Sequence, residues 1–221
     1  TLTRPKFNDS DLTGANFTSS AITEFTAPGA TLDNANFSKT NTGLKGADLD
    51  GASMIGATVS EIDLSEAKIS DASLKGATFE GSNLTSVNAQ RSDFSETDLR
   101  DANLTRARFD SSDFTNSNMK SSVLTQTGLR KANLTGVDVS YSEFDHTNIR
   151  EANLTEANLT GSIFTDVTGM HVKLDEADLT GVVLLRSRFV RTTFNNADLT
   201  GVDLSDNNLS GSKFEQAKHT D

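Results

Sequence analysis

The chain has 221 residues, with 31 acidic side chains against 20 basic ones, a formal net charge of -11 and a pI near 4.7. Without cysteine, disulfides, thiolate metal sites and a thiol nucleophile are excluded; no apolar run approaches the roughly 20 residues of a spanning helix, and the acidic balance argues against duplex DNA as the default partner. Only 34% of residues are apolar, thin for a conventional globule of this length, so they must be placed economically.

From the start of the chain Leu2, Phe7, Leu12, Phe17, Ile22, Ala27, Leu32 and Phe37 fall on every fifth residue. Both prolines, Pro5 and Pro28, lie in this stretch; a proline donates nothing to a backbone ladder, so Pro5 suits an edge that should not recruit another chain. Between Phe37 and Leu44 the spacing is seven, and residues 38–43 read as a small outward bulge that carries a two-residue insertion. From Leu44 the period of five resumes at Leu49, Met54, Val59 and Leu64 and runs to Phe214. We refer to these residues as centres. Two places before a centre stands a small residue, as at Ala47, Ala52, Ala102 and Ser112, and Asn or Asp commonly fills the next place. Two places after it glycine is frequent, as at Gly46, Gly51 and Gly136, where a corner would need a positive φ. Of 43 centres only Ala27, Ala89 and Gly169 are not bulky and apolar.

A helix repeats apolar residues every 3.6 and a strand every 2, so a strict five fits neither. It fits a coil of short straight sides, and a fixed period of this kind reads as a solenoid. The recurrent Ala-(Asp/Asn)-Leu-x-x pattern, written twice in succession as EANLTEANLT at 151–160, resembles the pentapeptide repeat family over residues 2–218, and more distantly its Qnr-like and MfpA-like members. The resemblance implies an all-β chain: a right-handed quadrilateral parallel β-helix of 10 or 11 coils, four pentapeptides per coil, forming a single domain over 1–221. In Qnr-like members longer loops contribute to contact with a topoisomerase; the bulge at 38–43 is much shorter.

With four sides per coil, centres twenty residues apart stack. One face then carries Leu44, Leu64, Leu84, Leu104, Leu124 and Phe144, and the next carries Leu49, Ile69, Ala89, Phe109, Leu129 and Ile149. All three undersized centres fall on this second face, each with a large inward neighbour, Phe25, Val87 or Val167. Volume compensation explains the pairing; the alternative is a kinked side that serves for docking, with DVTGMHVKL at 166–174 its strongest candidate. Outward on the second face lie Lys68, Arg91, Arg108, Arg130, Lys131, Arg150, Arg188 and Arg191, against Asp48, Asp50, Asp71, Asp110 and Glu151. The opposite face carries Glu61, Glu80, Asp98, Asp101, Asp138, Asp178 and Asp198, which makes a rod with one basic stripe and three acidic sides. The stripe reads either as solvated surface or as a steering surface for an acidic partner or for self-association of opposite faces. Val123, Ile163, Val183 and Leu185 occupy outward positions of the first face and form a candidate apolar patch.

His146, His171 and His219 fall on three different faces, and no Ser-His-Asp set, phosphate loop or zinc spacing is recognisable. No catalytic residue, metal site or cofactor is expected, and the chain does not read as an enzyme. Repeated Asn-x-Ser/Thr triplets, as at Asn103, Asn133 and Asn153, read as repeat consensus whose Asn side chains bond corner backbone. The tail EQAKHTD contains no amphipathic helix, so the helix-mediated dimer of Qnr-like and MfpA-like relatives is not expected, and the reading is a monomer or weak dimer. The function read from these features is a non-catalytic scaffold whose faces meet a protein partner. The alternatives are a Qnr-like DNA mimic that binds DNA gyrase or topoisomerase IV, and binding of a polyanion, RNA or membrane surface through the basic stripe. The compartment is read as cytoplasmic, or as a cyanobacterial lumen or the periplasm if a leader preceded Thr1.

Overall fold

Residues 1–40 and 43–220 are described by a computed structural model. Between the two terminal coils the small residue two places before a centre and the centre itself both point inward and are buried, while the residue between them faces out. That leaves each side too short to satisfy its own backbone, so neighbouring coils must do it. Leu44 N donates to Asp63 O on the coil below at 2.6 Å, and Lys68 N returns to Ala47 O above at 2.9 Å. The scheme repeats down the molecule as parallel bridges, for example Asp48 with Lys68, Lys68 with Asn88, and Asn88 with Arg108. At the common corner the third residue after a centre bonds back to it, as Ala47 N does to Leu44 O at 2.9 Å, and the residue before has a positive φ. This is the pattern of a type II turn. Glycine is not obligatory there: Glu66, Glu96 and Arg106 adopt φ values of 63, 58 and 59 at closed corners.

At several corners this turn is open, and the chain is extended enough to form strands. They are β1 (Leu2–Thr3), β2 (Ile22–Thr23), β3 (Glu143–Asp145), β4 (Ile163–Thr165), β5 (Thr168–Met170), β6 (Val183–Leu185) and β7 (Arg188–Val190). All pair in parallel, β1 with β2, β3 with β4 and β4 with β6 on the first face, β5 with β7 on the second. Among the described residues no helix is long and apolar enough to cross a membrane.

Coils repeat every twenty residues except once. Thr26 pairs with Asp48, Thr31 with Ser53 and Asn36 with Thr58, so three ladders cross the insertion with a count of 22. The corner after Phe37 is ordinary, with Lys39 at φ 58 and Thr40 N bonded to Phe37 O. Residues 41 and 42 of the expected bulge lie outside the described residues. The chain re-enters at Gly43, where φ is 66 and an added Cβ would stand 2.7 Å from Asp63 O, so only glycine fits this return.

The interior is four columns of centres. Asn103, Val123 and Glu143 bridge in succession, which places Leu104, Leu124 and Phe144 in one column. Where phenylalanines follow each other down a column their rings stack, Phe144 on Phe164 at 4.3 Å and Phe94 on Phe114 at 5.0 Å. At the undersized centres other groups take the space. The Phe25 ring lies 5.8 Å from Phe17 and 5.7 Å from Phe37, and Phe109 below Ala89 reaches Phe94 and Phe114 at 5.4 and 5.1 Å. A Cβ on Gly169 would meet Val172 Cγ2 at 3.1 Å and Phe189 Cδ1 at 3.2 Å. The backbone there is extended rather than kinked: Gly169 sits in β5, in register with Phe189 of β7.

Several inward serines have a task that alanine cannot perform, although the Ser117 hydroxyl has no hydrogen-bond partner among the described residues. Ser162 Oγ donates to Val139 O at 2.8 Å and accepts from Ser142 N at 3.2 Å, and Ser142 Oγ does the same for Met119 O and Ser122 N. Ser112 likewise serves Ala89 O and Ser92 N. At Val139 and Ala89 a hydroxyl from one coil is thus inserted into the corner of the coil above, between the two groups that a closed turn would join directly, whereas at Met119 the direct bond from Ser122 N persists at 3.2 Å beside it.

Candidate interaction surfaces

On the second face the bridges stack Lys68, Asn88, Arg108, Gly128, Asn148, Thr168 and Arg188 in one column. Arg130 and Arg150 follow their centres on the same side, and Arg91, Lys131, His171 and Arg191 stand at its corner. The charges along this face are not evenly spread. Above residue 112, Lys68, Arg91 and Arg108 face Asp48, Asp50, Asp71 and Asp110, so acids outnumber bases. From 128 to 191, Arg130, Lys131, Arg150, Arg188 and Arg191 face Glu151 alone.

Pairing sharpens this division. Lys68 reaches Asp48 at 3.5 Å, and Arg91 grips Asp71 through Nε and Nη2 at 2.7 and 2.6 Å. The bond from Arg91 holds the Asp71 carboxyl below the usual range. Glu151 takes Arg130 at 3.1 Å and Lys131 at 3.5 Å, and the Arg130 hydrogen bond lowers its pKa. Among the described residues Arg108, Arg150, Arg188 and Arg191 have no ion-pair partner. Arg130, Asn148, Arg150, Glu151, Met170 and His171 surround a shallow depression of about 400 Å³.

The first face carries the apolar patch. Ile163 and Val183 are register partners in β4 and β6, and with Leu185 they are each more than two-fifths exposed. Val123 is half-buried and stands apart from them, because Glu143 intervenes in the column. Beside the patch runs the corner column His146, Asp166 and Arg186. Arg186 binds Asp166 through Nε at 3.0 Å and Nη2 at 2.7 Å and depresses its pKa, while His146 Nδ1 lies 2.7 Å from Asp145 Oδ1. Potential ligand atoms of Asp145, His146 and Asp166 lie within 4.8 Å of one another, a proximity that the scattered histidine positions did not suggest. Each of these groups already has a protein partner.

Opposite the second face, the acids are partly neutralised. Arg100 spans Asp98 at 2.6 Å and Glu80 at 3.3 Å, and Lys218 holds Asp198 at 2.8 Å. Hydrogen bonds from Lys218 and then from Thr200 bring the Asp198 pKa to about 2. Asp138 and Asp178 accept from Ser140 N and Thr180 N at the following corner. Exposed Ile55 and Tyr141 were not singled out from sequence. The Lys120 ammonium lies 5.4 Å from the Tyr141 ring centre. The twenty-residue spacing that gives the core also pairs Arg4 with Glu24, Asp71 with Arg91, and Asp166 with Arg186, so these contacts were present in the sequence as a rule not applied to charges.

The family model for pentapeptide repeats matches residues 29–71, 43–81, 62–101, 82–120, 129–166, 170–206 and 186–218. The chain belongs to the pentapeptide repeat family. No curated protein sequence matches it significantly. Among solved structures it is similar to HetL, a pentapeptide repeat protein involved in heterocyst differentiation regulation in the cyanobacterium Nostoc, at 21% identity and a TM-score of 0.34, with 99% of this chain and 88% of that one covered. It is also similar to QnrB1, a plasmid-mediated fluoroquinolone resistance protein, at 16% identity and a TM-score of 0.40, covering 100% and 92%. A third similar chain is a pentapeptide repeat protein of the Arabidopsis thaliana thylakoid lumen, at 25% identity and a TM-score of 0.26, covering 60% and 66%. Scores of this size transfer neither a partner nor a role.

Proposed function

We propose that the chain is a non-catalytic scaffold that presents charged and apolar columns at a fixed rise to a protein partner. The observation that carries this reading is the sorting of side chains: the core repeats, while the exposed aliphatic pair Ile163 and Val183 lies on the first face, the unpaired Arg150, Arg188 and Arg191 lie on the C-terminal part of the second, and an acidic column lies on the face opposite it. Groups that perform chemistry are usually desolvated in a concavity, whereas the charged side chains of this rod stand on open faces. Photo-crosslinking residues placed one per face, at Thr115, Asp138, Arg150 and Ile163, give adducts from the source cells concentrated on one or two faces. Equal labelling of all four, or none, removes the scaffold reading.

A second reading is DNA mimicry toward DNA gyrase or topoisomerase IV, favoured by the column Asp98, Asp138, Asp178 and Asp198 on the face opposite the second. QnrB1 is described as a fluoroquinolone resistance protein. Inhibition of gyrase supercoiling that is lost in Asp138→Lys with Asp178→Lys supports mimicry. Failure both to inhibit and to protect the enzyme from a fluoroquinolone eliminates it.

A further inference from the structure

We propose that the C-terminal half of the second face, residues 128–191, docks a short acidic segment of a partner protein laid along the rod. The inference rests on the scaffold reading and names its surface and the chemistry of its partner.

The charge balance selects this half. Its five cations face one carboxylate, whereas the half above is slightly acidic, so the balance of formal charge changes sign along a single face. Glu151 engages Arg130 and Lys131, which leaves Arg150, Arg188 and Arg191 exposed and without ion pairs among the described residues. Three arginines held at one face without counter-charges repel each other, and an incoming carboxylate relieves that repulsion while gaining forked hydrogen bonds. The depression beside Arg150 offers the same ligand a second class of contact, since Met170 contributes apolar surface and Asn148 an amide. Asn148 Oδ1 accepts from Arg150 N, which leaves its amide hydrogens available as donors.

Dimensions set the length of the segment. Coils lie about 4.8 Å apart, so three rises from the level of Gly128 to that of Arg188 span about 14 Å, which an extended peptide covers in about four or five residues. The partner is a protein segment rather than a nucleic acid for two reasons. Between 128 and 191 the outward positions of this face include no Phe, Tyr or Trp on which bases would stack. A longer polyanion also overruns the patch onto acidic neighbours, whereas a segment of this length does not.

The test uses the whole chain and a fluorescein-labelled peptide with five glutamates between Gly-Ser flanks, followed by anisotropy in 0.1 M salt, where fields beyond about 10 Å are largely screened. Wild type binds, and Arg150→Glu with Arg188→Glu and Arg191→Glu weakens binding at least tenfold. Glu151→Gln strengthens binding several-fold by releasing Arg130 and Lys131. Lys45→Glu with Lys75→Glu, on the two faces that flank the second, changes nothing. Circular dichroism of each variant establishes that it is folded. Absence of binding by wild type, an equal loss in the Lys45/Lys75 variant, or tighter binding of a single-stranded oligoribonucleotide of equal charge overturns the proposal. Crosslinking to a partner solely through Ile163 or Asp138 also overturns it and leaves the scaffold reading standing.

Discussion

At the residue scale the decisive atoms are the inward hydroxyls. Ser162→Ala removes the group that joins Ser142 N–H to Val139 C=O in the interior, and both are left without that partner. The expected cost is about 1–3 kcal/mol by chemical denaturation, whereas Ser86→Ala at an exposed corner stays within about 0.5 kcal/mol. Equal effects would show that the inserted hydroxyl is dispensable. That a small residue belongs two places before each centre was legible from the period. The choice of serine over alanine was not, because it depends on a carbonyl twenty-three residues earlier and on whether that corner is closed. Asp198 gives a titration at the same scale. Its folded pKa of about 2 lies below the ordinary 3.8, so the stabilisation it supplies is complete above 3.8 and is lost as pH falls through about 2. A carboxyl-detected NMR titration of wild type reads a midpoint near 2, and Lys218→Ala moves it upward toward the ordinary value.

Within single columns the same twenty-residue rule governs both packing and charge. Gly169→Leu forces a side chain against Val172 and the Phe189 ring, for an expected loss of about 1–3 kcal/mol. If the ring is what fills the site, Gly169→Leu with Phe189→Ala loses less than the sum of the two single changes, as a double-mutant cycle measures. Strict additivity would refute the compensation. Undersized centres were visible in the sequence as gaps in a series, and their large neighbours were visible too. The straight backbone at β5 was not, because a glycine in a short repeat is compatible with either a filled gap or a bend. Similarly, the eight cations of the second face could be counted from sequence, but their division into two halves depends on which carboxylate reaches which base, and Glu151 engages two of them.

For the whole molecule, stability is expected to behave as a sum over neighbouring coils. Deletion of residues 104–123 joins Asn103 to Leu124 and returns every later residue to its own column, so cooperative unfolding persists and the surface at 128–191 is retained. Deletion of 104–110 shifts the five-residue phase and abolishes cooperative unfolding, as far-ultraviolet circular dichroism during denaturation would report. A seven-residue deletion that unfolds like the full-coil deletion would contradict the stacking. The natural insertion after Phe37 already shows how tolerance is arranged, since three ladders pair across it undisturbed. A further consequence lies in the corners, where the backbone has a left-handed φ at Gly136, Arg91 and His146 alike. Exchanges at these positions leave the buried columns unchanged, so the outer pattern can diverge among relatives without endangering the capacity to fold. Recognition and foldability are therefore decoupled in this architecture, each written in its own set of positions.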